Sequence, residues 1–120
     1  GHALWVTRWL QPAGMPLLRT AYVEAVAVDA SLRHRGVGTM VMRQLARSIQ
    51  AYDLGGLSTG SEAFYERLGW RVWQGALSVR TTSGMIATPH DRLMVLALPR
   101  TPKLDLGAPI SAEWREGELW

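Results

Sequence analysis

The sequence has no cysteine. Disulfides, thiolate zinc sites and cysteine nucleophiles are therefore excluded. No run of about 18 apolar residues appears, so no segment has the length and hydropathy to span a bilayer. The three histidines, His2, His34 and His90, lie far apart, without the spacing of metal ligands, and no metal is expected. There is no signal-peptide pattern, internal repeat or low-complexity stretch. The expected compartment is the cytoplasm. Gly1 and His2, where the chain opens without methionine, are read as added residues and set aside from functional reasoning.

The chain contains 120 residues, of which 48% are hydrophobic. That is enough for one modest core and leaves little room for two domains, so residues 1–120 are read as a single domain. The net charge of +3 is unevenly spread. Residues 1–100 carry eleven Lys and Arg against six Asp and Glu. Residues 101–120 carry two basic and four acidic side chains. A basic body suits a polyanionic ligand and an acidic tail suits a cationic one; chance segregation of surface charge is the plain alternative.

Residues 3–10, "ALWVTRWL", predict a strand, which "QPAGMP" interrupts. Residues 17–28 predict a second strand, nearly all apolar after Thr20, as in the middle of a sheet. From about Gly36 to Tyr52 the pattern is helical, with Val37, Met40, Val41, Leu45 and Ile49 on one face. A short strand follows at 54–59. Ser61 is a candidate N-cap for the helical turns "EAFYERL", which Gly69 ends. Residues 70–80 and 92–100 predict an antiparallel pair joined by a loop, and the last twenty residues read as a tail. Strand–helix–strand crossovers in the middle imply parallel pairing there, with antiparallel additions at the ends. The fold class is α+β with a mixed sheet.

Arg33, His34, Arg35, Gly36, Val37 and Gly38 form Arg-x-x-Gly-x-Gly between an apolar strand and an amphipathic helix. Glycines admit close approach of a ligand to the backbone. The helix start aims free N–H groups and partial positive charge at the same place, which suits a pyrophosphate. The spacing is neither that of a dinucleotide fingerprint nor that of a nucleoside-triphosphate loop. Taken alone, two glycines near arginines at a helix start are as well explained by a tight turn.

"YVEAVAVDASLRHRGVGTMVM" resembles motif A of the GNAT acyl-coenzyme A-dependent N-acetyltransferases. "YVEAVAV" (22–28), "FYERLGW" (64–70) and "AEWREGELW" (112–120) are most similar to the aminoglycoside 2′-N-acetyltransferases within that family. The resemblance covers nearly all of residues 3–120. It implies a twisted mixed sheet with two helices that begins near the third strand of the family fold, without the preceding strands and helices. A second copy is then expected to cover the exposed sheet edge, giving a homodimer with or without exchanged elements. "STGSEAFY" looks about two residues shorter than its counterpart, which shifts Ser58.

Several roles follow from the resemblance. Backbone groups of Val26, Ala27 and Val28 would meet the pantetheine and polarise the thioester carbonyl. Arg33, His34, Arg35, Gly36, Val37, Gly38 and Thr39, with Ser58, would complete the acetyl-coenzyme A site. Glu24 is a carboxylate in an apolar strand, costly unless solvated, paired or working, and would receive the proton that the acceptor ammonium must lose. Tyr65 would protonate the departing thiolate. Glu24, Ala25, Asp91, Glu118 and Trp120, the last through its terminal carboxylate, would form the wall of a site for a small polycationic amine. Each has a plain reading as well: a solvated strand end, a half-buried aromatic, a loop or tail acid.

The function expected is therefore acetyl transfer from acetyl-coenzyme A to an amine, with the 2′-amine of aminoglycosides first. Another small amine or a protein N-terminus remains open. So does a coenzyme A-binding module without turnover. Nucleic-acid binding is disfavoured, because the basic residues are dispersed and the tail is acidic.

Overall fold

A computed structural model describes residues 1–28 and 36–120. The first strand, β1 (His2–Pro12), returns through a turn as β2 (Leu18–Ala27), and the two pair antiparallel from His2↔Ala27 to Leu10↔Leu18. Helix α1 (Val37–Ser48) leads to β3 (Leu54–Leu57), which lies parallel to β2. Helix α2 (Glu62–Glu66) and β4 (Arg71–Val72) follow, then the hairpin β5 (Leu77–Thr81) and β6 (Gly84–Ala87). The chain ends with β7 (Met94–Leu96) and β8 (Ile110–Glu113). All eight strands join in one mixed sheet of order β4-β7-β3-β2-β1-β8-β5-β6.

The expected antiparallel pair of residues 70–80 and 92–100 survives only as β4 beside β7. The second half of the first segment leaves as β5, which pairs with β6 and, in parallel, with β8. The predicted loop 81–91 thus contains a strand, and so does the tail. Neither shows alternation clean enough to read: all four β6 residues are exposed, whereas Ile110, Ser111 and Ala112 are all buried.

Two apolar clusters sandwich the sheet. Leu10, Leu18, Tyr22, Leu54, Trp73, Val79, Ile110 and Trp120 fill one face, under the tail. Ala21, Val23, Met42, Leu45, Ile49, Leu57 and Trp70 fill the other, under the helices. Met42 is buried, whereas Met40, predicted for the packed face, is 67% exposed. Position 42 is three residues before Leu45, so the two share a helical stripe.

Strand β3 passes between large side chains on both faces. A Cβ at Gly56 would lie 3.1 Å from the Tyr22 ring and 3.2 Å from Thr20. A Cβ at Gly55 would lie 3.2 Å from both Trp70 and Leu96 on the opposite side. Gly56 thus leaves room for the Tyr22 ring on one face, and Gly55 for Trp70 and Leu96 on the other.

Candidate active site

The β2–β3 ladder ends at Val23↔Leu57, while β2 stays paired with β1 as far as Ala27. Among the described residues, the β3 side of β2 has no neighbouring strand from Glu24 onward, and its backbone groups face the gap beyond the end of β3. The register slips at the same point: Val23 faces Trp5 and Ala25 faces Leu4, so Glu24 is an extra residue, a β-bulge. The bulge turns Glu24 and Ala25 outward, and both are exposed directly after the buried run Thr20–Val23. Val26 turns back and packs with the helix-side cluster.

Helix α1 begins beyond this gap. Gly36 is its N-cap, at φ 75°, a left-handed conformation that side chains resist. A Cβ at Gly38 would sit 3.5 Å from the ring of Phe64, so α1 and α2 meet there without an intervening side chain. A cavity of about 610 Å³ opens between them, bordered by Val28, Gly36, Gly38, Thr39, Thr59 and Tyr65, among others. Its size lies in the range of ligand pockets. It has the orphan N–H groups of a helix start and backbone kept clear by two glycines, so these residues fit a pyrophosphate-bearing ligand. Arg33, His34 and Arg35 lie outside the described residues. Val37 is half-buried at the first helical position, and Ala27 is exposed at the end of β2.

Tyr65 is half-buried, edge-on to Phe64 at 4.9 Å and to Trp70 at 6.3 Å between ring centroids. Burial raises its pKa above the ordinary tyrosine value of 10.0, so the phenol holds its proton throughout the neutral range.

A second, smaller cavity of about 270 Å³ lies on the tail side of the gap. Glu24, Ser58, Glu118 and Trp120, four of the residues singled out in the sequence, border it together with Tyr22 and Thr59. Thr59 thus borders both cavities, one holding Glu24 and the other Tyr65. Asp91 stands apart: it is exposed, its N–H donates to the Thr88 carbonyl, and it reaches the cavity only through its field on Tyr22.

Two arginines outside the lining of this cavity, neither singled out from the sequence, hold the tail beside it. Arg8 is 2% exposed. Its Nε donates to Glu113 Oε1 at 2.8 Å, Nη2 to the Glu113 carbonyl at 2.7 Å and Nη1 to the Leu119 carbonyl at 2.6 Å. The tail is thereby fastened to β1, and the Trp120 indole donates to Thr88 Oγ1 at 2.9 Å. Arg115 forms a salt bridge with Glu24 and donates from Nε to the Glu118 carbonyl at 2.6 Å. Glu24 is paired, which is how the bulged strand tolerates it. Arg8 was legible in part, as the lone charge in "WVTRWL"; Arg115, amid four tail acids, carried no such signal.

Residues 3–72 match the family described as "Acetyltransferase (GNAT) domain". The chain belongs to the GNAT acetyltransferase family. It is 39% identical over 110 residues to an aminoglycoside 2′-N-acetyltransferase of Mycolicibacterium fortuitum, a match covering 86% of this chain and 56% of that protein. The GNAT chain described here thus spans little more than half the length of that relative. The ribosomal-protein-S18-alanine N-acetyltransferase of Escherichia coli overlays it with a TM-score of 0.46 and 18% identity, covering 85% of this chain and 73% of that one. GNAT domains take acetyl-coenzyme A, which agrees with the α1 cavity. Among the described residues no helix is long and apolar enough to cross a membrane, and no group of three or more His, Cys, Asp or Glu could hold a metal ion.

Proposed function

We propose that this GNAT domain transfers an acetyl group from acetyl-coenzyme A to an amine of a small polycationic acceptor, the 2′-amine of aminoglycosides. One observation carries the reading: the cavity at the α1 N-terminus and the carboxylate-lined cavity under the tail meet at Thr59, with Tyr65 in one and Glu24 in the other.

Acetyl-coenzyme A supplies the activated thioester. The α1 N–H groups and Gly36, Gly38 and Thr39 hold the phosphates. The free β2 edge at Val26–Val28 aligns the pantetheine and offers an N–H to the carbonyl oxygen. Glu24 accepts the proton that the acceptor ammonium loses, directly or through water, and the neutral amine then attacks the carbonyl carbon. The C–N bond forms as the C–S bond breaks, and Tyr65 gives its proton to the leaving sulfur. Glu24 and Glu118 favour a cation in the smaller cavity, which has room for one amine-bearing ring and leaves the rest of the acceptor outside.

A homodimer fits this reading. β8 covers β1 only at Gln11 and Pro12, and Leu4 and Val6 farther along β1 are 59% and 44% exposed. A second copy along that edge would cover them. The reaction belongs in the cytoplasm, where acetyl-coenzyme A is at hand.

The decisive assay is thiol release from acetyl-coenzyme A, with a thiol reagent that a cysteine-free protein does not consume. Release is expected with kanamycin B, which has a 2′-amine, and not with kanamycin A, which has a hydroxyl there. Silence with both would leave the second reading, a coenzyme A-binding module, which the occupation of Glu24 by Arg115 favours.

A further inference from the structure

Tyr22 is 1% exposed, and its hydroxyl is the one buried side-chain nitrogen or oxygen among the described residues without a hydrogen-bond partner. The ring does not explain the hydroxyl. It packs over Gly56 and joins the tail-side core, and phenylalanine would do both as well. A buried hydroxyl without a partner is a cost, and folded proteins rarely carry one without a use.

The surroundings say what kind of partner is missing. Tyr22 borders the small cavity with Glu24, Ser58, Glu118 and Trp120. The guanidinium of Arg8 stands 5.1 Å and that of Arg115 5.4 Å from its ring centroid. Burial raises the phenol pKa strongly. Arg8 and Arg115 oppose the rise, while Glu24 and Asp91 reinforce it. The hydroxyl is therefore neutral at any working pH and keeps two acceptor lone pairs. Glu24 and Glu118 make the cavity favourable to a cation, and Arg115 already shows one against the Tyr22 ring and the Glu24 carboxylate. A group with an N–H donor meets the one unfilled requirement, the Tyr22 hydroxyl, and Glu24 and Glu118 favour a donor that is also charged.

We infer that Tyr22 is an acceptor-recognition residue whose hydroxyl oxygen accepts a hydrogen bond from the ammonium group of the incoming polycation, beside Glu24. The inference rests on the acceptor reading above and adds to it the group that holds the ammonium in place before Glu24 takes its proton. Tyr22 makes no bond to reacting atoms in this role; it selects the cation and fixes its position.

The test is calorimetric titration of kanamycin B into the coenzyme A-loaded chain, for the wild type and for Tyr22→Phe, with thermal melting of both. The hydroxyl bond to a charged group predicts a dissociation constant raised roughly ten- to a hundred-fold in Tyr22→Phe. The melting temperature should stay the same or rise, because the deleted hydroxyl had no partner to lose. Equal affinity of the two proteins would overturn the assignment and leave the acceptor reading standing. Weaker binding with a lowered melting temperature would also overturn it, since the hydroxyl would then serve the fold. A wild-type chain that binds coenzyme A but not kanamycin B would overturn the acceptor reading and this inference with it.

Discussion

Glu24 and Arg115, 91 positions apart in the chain, form a salt bridge at the mouth of the smaller cavity. The second guanidinium nitrogen lies 3.5 Å from the other carboxylate oxygen. One partner is the bulged residue of β2, and the other sits in the tail just past β8. The tail therefore places a cation where the proposed reaction needs one to arrive. An ammonium-bearing acceptor must share or displace that contact, so the pair sets both the affinity and the readiness of the carboxylate.

Replacing Arg115 with glutamine should tighten binding of a polycation several-fold at low salt. The variant leaves Glu24 without its internal cation. Its affinity should also fall more steeply with ionic strength than that of the wild type, because more of it is electrostatic. Titration of kanamycin B at two salt concentrations reads both effects. Weaker binding at low salt would show that Arg115 builds the site rather than competing for it.

Glu24→Gln keeps the size of the side chain and removes the proposed base. Turnover should drop by about a hundred-fold or more, the usual worth of a positioned proton acceptor. Coenzyme A affinity should hold, since Glu24 lies outside the α1 cavity. Steady-state thiol release and direct coenzyme A titration separate the two. A loss confined to coenzyme A binding would count against the role.

For Tyr65 the expectation is one of pH. Its pKa lies above 10.0, so the phenol is protonated and able to donate at every lower pH, and that ability is lost as pH rises through the raised value. The alkaline limb of kcat should therefore fall above pH 10 and be absent in Tyr65→Phe, whose kcat should be about a hundred-fold lower. An unchanged profile in the variant would remove Tyr65 from the chemistry.

The two glycines at the start of α1 should respond with opposite signs. Gly36→Ala puts a side chain at φ 75° and should cost about 1–2 kcal/mol of stability. At Gly38 the added Cβ meets Phe64 at ordinary contact distance, 3.5 Å, so Gly38→Ala should stabilise the helix by up to about 1 kcal/mol. The methyl group would also narrow the α1 cavity and weaken coenzyme A binding. Urea denaturation and coenzyme A titration of both variants test this. Equal destabilisation by the two would contradict it.

Arg8→Met should lower stability by about 3 kcal/mol, since three tail contacts end on that buried guanidinium. Trp120 should loosen with it. Kanamycin B binding should then weaken while coenzyme A binding persists, because the tail borders only the smaller cavity. Retained acceptor affinity would mean that the tail docks without Arg8.

Local order was legible in the residues themselves. The apolar run of β2, the helical stripe of α1 and the glycine stop after α2 are short-range patterns, and short-range patterns dictate local structure. The same holds for Glu24, whose charge in an apolar strand marked it before any neighbour was known. What the residues could not disclose is which distant groups meet. The packing alone decided that β5 would leave β4 and join β8, that Arg8 would hold the tail, and that Arg115 would reach Glu24. It also left the Tyr22 hydroxyl without a partner. Such contacts depend on the closure of long loops around a shared core, and their stabilisation exists only once that core has formed. The sequence by itself determined β1 to β3, the two helices and the chemical groups available to the site. The tertiary structure decided which of those groups face one another.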